Sequence, residues 1–279
     1  YIGGDFMDEK DINEKKSAEN KNGGEENKKS KSRMILLIIA VVVFVCACVY
    51  IGFYLYNVWS AENETTVPQE STAALTTGPL AQNPVDFKSL QSGNDEIYAW
   101  IKIDDTDVDY PIVQSGSDDD FYLRHSAFDK KYISSGAIYT QGINRTDFTD
   151  PVTVIYGHNG YKETMFTTLH KFEDSEFFNS HEYFYIYMPQ HKLTYQIISA
   201  FKYDDRHIMN SFNFDNQDDL ASFQGEIMNP SSALKNVRTN LNTTIDKDSK
   251  IVVLSTCITN QKSNRFLVCG VLIKDEKTN

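Results

Sequence analysis

An uncharged apolar run at residues 34–56 is longer than the ~20 residues that a helix needs to cross a bilayer. Inside lipid, only a helix or a closed barrel satisfies every backbone hydrogen-bonding group. The run therefore predicts one transmembrane helix. A cleavable signal peptide is the alternative, but its apolar part usually spans only ~7–15 residues. An uncleaved signal-anchor is the better interpretation.

The charges around this run predict how the chain is oriented. Four basic residues lie between positions 28 and 33, whereas Glu62 and Glu64 follow the run. The excess of Lys and Arg on cytoplasmic flanks predicts a single-pass protein of the cell membrane with its N-terminus in the cytoplasm. We expect a disordered cytoplasmic tail at residues 1–33, an extracellular linker at 57–82 and an extracellular folded domain at 83–279.

Charge and cysteine content exclude two classes of protein. A net charge of −12 argues against nucleic-acid binding, which requires Lys and Arg to neutralise phosphates. Cys46 and Cys48 lie in the apolar run, which leaves Cys257 and Cys269 for the folded domain. Two cysteines do not make the disulfide framework of a small secreted domain. A bridge between Cys257 and Cys269 stays open.

The folded domain is predicted to be mainly β. Short β-branched or aromatic segments are separated by Gly, Asp, Asn or Ser clusters, a pattern that is typical of strands. About eight such strands suggest a closed barrel or a sandwich. They lie at residues 98–103, 110–114, 136–139, 152–156, 183–187, 193–200, 250–255 and 265–273. Helical spacing predicts helices at 85–90, 165–172 and Gln217–Met228.

A thiol and a guanidinium are predicted to meet at two neighbouring strand ends. Cys257 ends one apolar strand, a polar loop follows, and Arg265 opens the next strand. A thiol is a good nucleophile only as the thiolate, which a nearby positive charge favours. A free cysteine is ordinarily a small buried hydrophobe, and this alternative holds for Cys269 in mid-strand. The strand-end position of Cys257 favours the nucleophile.

The base that accepts the proton of the thiol is expected to be one of the six histidines. His158 lies just past an apolar strand, between glycines that let the backbone turn and approach closely. We expect the site histidine there. The remaining histidines are in polar or helical surroundings and are predicted to be surface residues: His125, His170, His181, His191 and His207.

Together these motifs resemble the class B sortases over residues 83–273. The resembling segments are Asp109-Tyr110-Pro111-Ile112-Val113-Gln114, Phe121-Tyr122-Leu123, Ile155-Tyr156-Gly157-His158-Asn159, Met165-Phe166, Phe177-Phe178, and Leu254-Ser255-Thr256-Cys257 leading to Arg265. The resemblance implies a closed eight-stranded β-barrel with an N-terminal helix. It also implies that Gln217–Met228 is a helix inserted before the cysteine strand.

The resemblance also implies roles for individual residues. Cys257 is expected to be the nucleophile, His158 its proton-transfer partner, and Arg265 the residue that positions substrate and stabilises the oxyanion. The expected substrate-binding residues are Leu123, Tyr156, Ser255 and Thr256. No cofactor is implied. The acidic run at 118–120 lacks the spaced pattern of a calcium loop, so no metal is expected.

The implied function is that of a cell-surface cysteine transpeptidase. Such an enzyme cleaves a Pro- and Thr-containing C-terminal sorting signal of a secreted protein after Thr. It then joins the resulting thioester to an amine of peptidoglycan or of its lipid-linked precursor. A pilus-polymerising class B sortase is one alternative, and a catalytically silent membrane-tethered binding module is another.

Two other cysteine enzymes fit the residues less well. A papain-like peptidase has its Cys before its His in the chain, whereas His158 precedes Cys257 here. An L,D-transpeptidase has a Ser/His-x-Gly-Cys motif, and Ser255-Thr256 precede Cys257 instead.

Overall fold

A computed structural model describes residues 34, 37–60, 80, 82–160 and 162–279. Among these residues one helix, α1 (Leu37–Ser60), is long and apolar enough to cross a membrane. It coincides with most of the predicted transmembrane run. The predicted tail at 1–33 lies outside the described residues, and so does most of the predicted linker.

The described part of the folded domain is built on a single sheet of nine strands. Their bounds are β1 (Ile97–Lys102), β2 (Asp109–Val113), β3 (Ile138–Tyr139), β4 (Val152–Tyr156), β5 (Tyr183–Met188), β6 (His191–Asp204), β7 (Lys235–Val237), β8 (Ile251–Ile258) and β9 (Gln261–Lys277). All eight predicted strands are present, with boundaries that differ by a few residues. Only the short strand β7 was not predicted.

The sheet closes on itself. Its order is β5-β1-β2-β3-β4-β8-β9-β6-β7, and β5 also pairs with β6. The long strand β6 makes this possible, because residues 191–196 pair with β5 while residues 199–201 pair with β7. Eight strands therefore form the ring and β7 lies outside it. The predicted closed eight-stranded barrel is confirmed.

The cysteine strand β8 is buried on both of its faces. Val252 and Leu254 pack into an apolar cluster that draws on strands all around the ring. Ile251 and Val253 point the other way, because side chains alternate along a strand. They join a second cluster to which helix α5 (Gln217–Met228) contributes Leu220, Phe223 and Ile227. The predicted helix before the cysteine strand thus covers the outer wall of the barrel behind β8.

The remaining helices are short. Helix α2 (Phe87–Gly93) is capped by the Asp86 side chain, which accepts from the Ser89 amide, and it confirms the predicted N-terminal helix. Helices α3 (Ser175–Ser180) and α4 (Ile208–Ser211) were not predicted. The helix expected at 165–172 is instead a 3-10 helix at Thr167–Glu173. Met165 has a φ of 56°, which a right-handed helix does not allow.

Two glycines test how tightly the barrel is packed. A Cβ on Gly270 would lie 2.4 Å from Cε1 of Phe184, whose ring is stacked on Tyr195. Gly270→Ala should therefore lower the free energy of unfolding by about 1–3 kcal/mol. Gly225 in α5 has open space around it, so Gly225→Ala should raise that free energy by about 0.5–1 kcal/mol. Urea unfolding of the full chain in detergent micelles measures both changes. A Gly270→Ala protein as stable as the parent would contradict this packing.

Candidate active site

Strand pairing brings the predicted catalytic residues to one end of the barrel. Strands β4 and β8 are parallel, with Tyr156 opposite Ser255, so the segments that follow them leave the barrel side by side. His158 follows β4 and Cys257 lies at the end of β8. Antiparallel β9 then places Arg265 directly opposite Cys257.

These three side chains line one groove of about 250 Å³. The groove is also lined by all of the residues predicted to bind substrate, which are Leu123, Tyr156, Ser255 and Thr256. The structure therefore brings together every site residue that the sequence analysis named.

The two cysteines of the folded domain have opposite environments. Cys257 is exposed at the groove, whereas Cys269 is fully buried, and neither forms a disulfide. The bridge left open by the sequence is therefore not formed. Burial raises the pKa of the Cys269 thiol well above its usual range, because the thiolate would lose its hydration. Cys257 is the reachable thiol of the two.

The guanidinium of Arg265 is held by its own hairpin. Its Nη1 donates to the carbonyl oxygens of Lys262 at 3.0 Å and Asn264 at 3.1 Å. A planar guanidinium has five N–H donors, and these two bonds use only one of its nitrogens. The other nitrogens can donate to a ligand in the groove.

One ring nitrogen of His158 is fixed by the backbone. Nε2 lies 2.8 Å from the carbonyl oxygen of Leu123, which can only accept, so Nε2 carries the proton. Burial lowers the pKa of His158 below its ordinary value of 6.5. The Leu123 carbonyl opposes this shift, and the positive charge of Arg124 adds to it. His158 is therefore neutral at pH 7, and Nδ1 is the nitrogen that can take up a proton.

Two glycines make this arrangement possible. A Cβ on Gly157 would lie within 2.6 Å of the side chains of Ile138 and Phe166, so only glycine lets the His158 loop approach them. The Gly157 amide donates to Ser255 at 3.1 Å, which continues the β4–β8 pairing. Gly136, with a φ of +58°, passes so close to the Leu123 carbonyl that a Cβ there would lie 2.5 Å away. It supports the carbonyl that orients His158.

Two tyrosines from neighbouring strands form part of the groove wall. The rings of Tyr139 and Tyr156 are 5.5 Å apart, and burial raises the pKa of both above the usual range. Both phenols are therefore neutral donors. Among the described residues, the buried hydroxyls of Tyr156 and Thr256 have no hydrogen-bond partner.

His207 belongs to the groove, although the sequence analysis assigned it to the surface. Its Nδ1 accepts from the Asn210 amide at 3.2 Å, so the proton is on Nε2, which donates to Oε1 of Gln141 at 2.7 Å. This bond joins the loop between β3 and β4 to the start of α4. The polar sequence around His207 gave no sign of this contact, because its partner is 66 residues away in the chain.

His170 was also assigned to the surface, and the structure corrects that expectation. Its Nε2 lies 3.1 Å from the carbonyl oxygen of Cys257. The side-chain amide of Asn159 donates to the same oxygen at 3.1 Å. Both residues thus contact the backbone of the cysteine rather than its thiol. The position of Asn159, directly after His158, was the one available sequence signal.

The acidic run at 118–120 accepts hydrogen bonds from its own loop and from the loop between β3 and β4. Oδ1 of Asp119 accepts from the Gly142 amide at 2.7 Å, and Oδ1 of Asp118 accepts from the Asp120 amide at 3.0 Å. Within the described part of the chain, no three His, Cys, Asp or Glu residues are grouped so as to hold a metal ion.

Comparisons with known proteins agree on one family. Residues 101–273 match the family model of the sortase domain. Sortase B of Listeria monocytogenes is 28% identical over 239 residues, which cover 81% of this chain and 94% of the relative. Clostridium perfringens sortase B superposes with a TM-score of 0.60 at 29% identity, covering 67% of this chain and 99% of that one. Bacillus anthracis sortase B, solved in complex with AAEK1, superposes with a TM-score of 0.63 at 28% identity, covering 80% of this chain and 99% of that one.

The lowered pKa of His158 can be measured. We expect its imidazole to titrate below 6.5 in histidine NMR spectra of the folded chain, because burial disfavours the charged ring. Arg124→Gln should raise that pKa, since it removes a nearby positive charge. Arg145→Gln is the control, because Arg145 pairs with Asp147 and is not among the causes of the shift. Titration of His158 at or above 6.5 would contradict this description.

The lowered pKa of His158 also makes the stability of the folded chain depend on pH. Below pH 6.5 the unfolded chain protonates this histidine before the folded chain does. The part of the free energy of unfolding that depends on His158 should therefore have its full value above pH 6.5. It should decrease as the pH falls from 6.5 toward the pKa of His158 in the folded chain. A His158→Gln protein should lose this part of the pH dependence.

Proposed function

Since the chain belongs to the sortase family, and to its class B cysteine transpeptidases, we propose that it joins secreted proteins to the cell wall. It cleaves a Pro- and Thr-containing C-terminal sorting signal after Thr and transfers the acyl group to an amine of peptidoglycan or its lipid-linked precursor. The observation that carries the proposal is the convergence of Cys257, His158 and Arg265 on one groove.

The first half-reaction makes a thioester. The Cys257 thiol gives its proton to Nδ1 of His158, and the sulfur attacks the carbonyl carbon of the signal's Thr. His158 then returns that proton to the departing amine as the C–N bond breaks. General acid and base assistance of this kind typically contributes about 10²- to 10⁴-fold.

The second half-reaction reverses the proton flow. The acceptor amine attacks the thioester carbonyl and loses a proton to His158. The sulfur then leaves and takes that proton from His158, which regenerates the Cys257 thiol and the neutral imidazole. Arg265 donates to the oxyanion of each tetrahedral intermediate through the nitrogens that its hairpin does not use. Water can replace the amine, so transfer depends on the amine reaching the groove first.

The groove wall binds the signal. Tyr156 and Thr256 line the groove beside Cys257 and form a surface on which an extended peptide can lie. Leu123 and Ser255 complete the binding surface. A peptide in this groove exchanges hydration for these contacts, which aligns its Thr carbonyl with the sulfur.

The proposed location follows from helix α1 and the charges before it. An uncleaved anchor with a cytoplasmic N-terminus puts the barrel outside the cell. Secreted substrates and lipid-linked acceptors then meet the enzyme close to the plane of the membrane. This supports transfer in preference to release of the cleaved protein.

Cys257→Ala should abolish thioester formation, because it removes the attacking sulfur. The full chain in detergent micelles is incubated with a mixed library of Pro- and Thr-containing peptides, and acyl-enzyme is detected by intact mass spectrometry. Cys269→Ala is the matched control, since it removes the buried thiol and should acylate like the parent. Cleavage of a peptide by the Cys257→Ala protein would show that Cys257 is not the nucleophile. A parent that binds a peptide from the library but never acylates is a binding module.

Arg265→Ala should lower kcat/KM about 10²- to 10³-fold, the usual effect of losing an oxyanion donor. Arg265→Lys should recover only part of this, because an ammonium lacks the planar fork of a guanidinium. Circular dichroism should report an unchanged barrel, since Arg265 lies at a partly exposed strand end. Turnover of Arg265→Ala equal to the parent would exclude this role.

A further inference from the structure

The carbonyl oxygen of Cys257 is bound by side chains at the point where its strand ends. The β8–β9 ladder has an irregularity between Cys257 and Ile258, so regular pairing stops immediately after the cysteine. There the carbonyl oxygen accepts from the side-chain amide of Asn159 at 3.1 Å and lies 3.1 Å from Nε2 of His170. Neither side chain lines the groove.

His170 is itself held from two sides. Nδ1 lies 2.6 Å from Oε1 of Glu173, and the ring stacks on Phe266 with centroids 5.0 Å apart. Nε2 also lies 3.2 Å from Nδ2 of Asn159, so the His170 ring contacts both the Cys257 carbonyl and the side chain that donates to it. Phe266 directly follows Arg265 on β9. His170 thus links the two strands that carry the thiol and the guanidinium.

Asn159 links the cysteine to the histidine loop. It directly follows His158 and pairs with Met165 in an isolated β-bridge, while the Gly160 amide donates to Oγ1 of Thr167. These contacts connect residues 159 and 160 to residues 165 and 167. The Asn159 amide also donates to Oγ1 of Thr259 at 3.0 Å. The Asn159 side chain therefore connects the loop of His158 to the Cys257 carbonyl and to the Thr259 hydroxyl.

From these contacts we propose that Asn159 and His170, the latter held by Glu173, form a clamp on the Cys257 carbonyl that positions the nucleophile. The clamp rests on the transpeptidase function proposed above. The hydrogen bond from Asn159 and the contact with the His170 ring restrict rotation of the peptide plane after Cys257, and this holds the direction in which the sulfur points. Both are positioning residues, because their contacts are with the backbone of Cys257 and not with the groove.

The size of the effect follows from the geometry that acyl transfer needs. Reacting atoms have to lie about 3–3.5 Å apart, and a misplacement of about 1 Å can cost about 10²-fold in rate. Loss of the clamp should therefore slow acylation at saturating peptide. It should leave peptide binding unchanged, since the clamp lies outside the groove.

The test compares variants that keep the shape of each side chain. His170→Phe keeps the stacking on Phe266 but loses both ring nitrogens, and Asn159→Asp keeps the size but turns a carboxylate toward the carbonyl. We expect both to lower the single-turnover acylation rate about 10- to 100-fold with KM within about twofold of the parent. His170→Gln, which keeps one N–H donor, should recover most of the rate.

His181 provides a matched control. It stacks on Phe177 at 3.8 Å and has Oδ2 of Asp105 3.0 Å from Nε2, but it lies outside the groove and does not contact Cys257. His181→Phe should acylate at the parental rate. The assay uses the full chain in micelles with the peptide library, and iodoacetamide labelling of Cys257 reports whether the thiol is accessible in each variant.

The outcomes separate the clamp from the function on which it rests. Parental acylation rates in both His170→Phe and Asn159→Asp would overturn the clamp, and so would a change in KM alone or an equal loss in His181→Phe. If His170→Phe does not fold, Asn159→Asp and His170→Gln decide. If the parent itself never forms a thioester while iodoacetamide still labels Cys257, the transpeptidase proposal fails instead.

Discussion

The parallel pairing of β4 with β8 is the interaction on which the site depends. Five residue pairs, from Val152 opposite Ile251 to Tyr156 opposite Ser255, align the two strands. Because parallel strands end at the same edge of a sheet, the loop that carries His158 emerges beside the strand end that carries Cys257. A slip of one residue would turn Cys257 toward the barrel interior, since successive side chains face opposite sides. The glycine at 157 extends this alignment by one more backbone bond.

Much of the fold could be predicted because its strands have strong local patterns. The ring strands are apolar segments bounded by turn residues, and α5 places its apolar residues on one face. The neighbouring positions of Cys257 and Arg265 could also be predicted, because a short loop joins their strands. The distance along the chain from His158 to Cys257 is far greater. That proximity was expected mainly from the resemblance to class B sortases.

The expectations that failed depend on contacts between distant segments. His170 and His207 lie in polar sequence, yet each hydrogen-bonds a residue far along the chain at the site. A 3-10 helix at Thr167–Glu173 replaces the helix predicted at 165–172, and the left-handed backbone at Met165, which apolar spacing does not reveal, excludes that residue from it. Strand β7 has only three residues, too few to show a pattern.

The hairpin of β8 and β9 joins residues that are close together in the sequence, whereas Asn159 and Cys257 are 98 positions apart. The entropy cost of closing a loop increases with its length, and contacts distant in sequence slow folding. Loop closure therefore favours the β8–β9 hairpin, which puts Cys257 opposite Arg265, over the pairing of β8 with β4. With that hairpin alone, the sulfur would lie beside the guanidinium without the imidazole of His158. Assembly of the complete groove is thereby coupled to closure of the barrel.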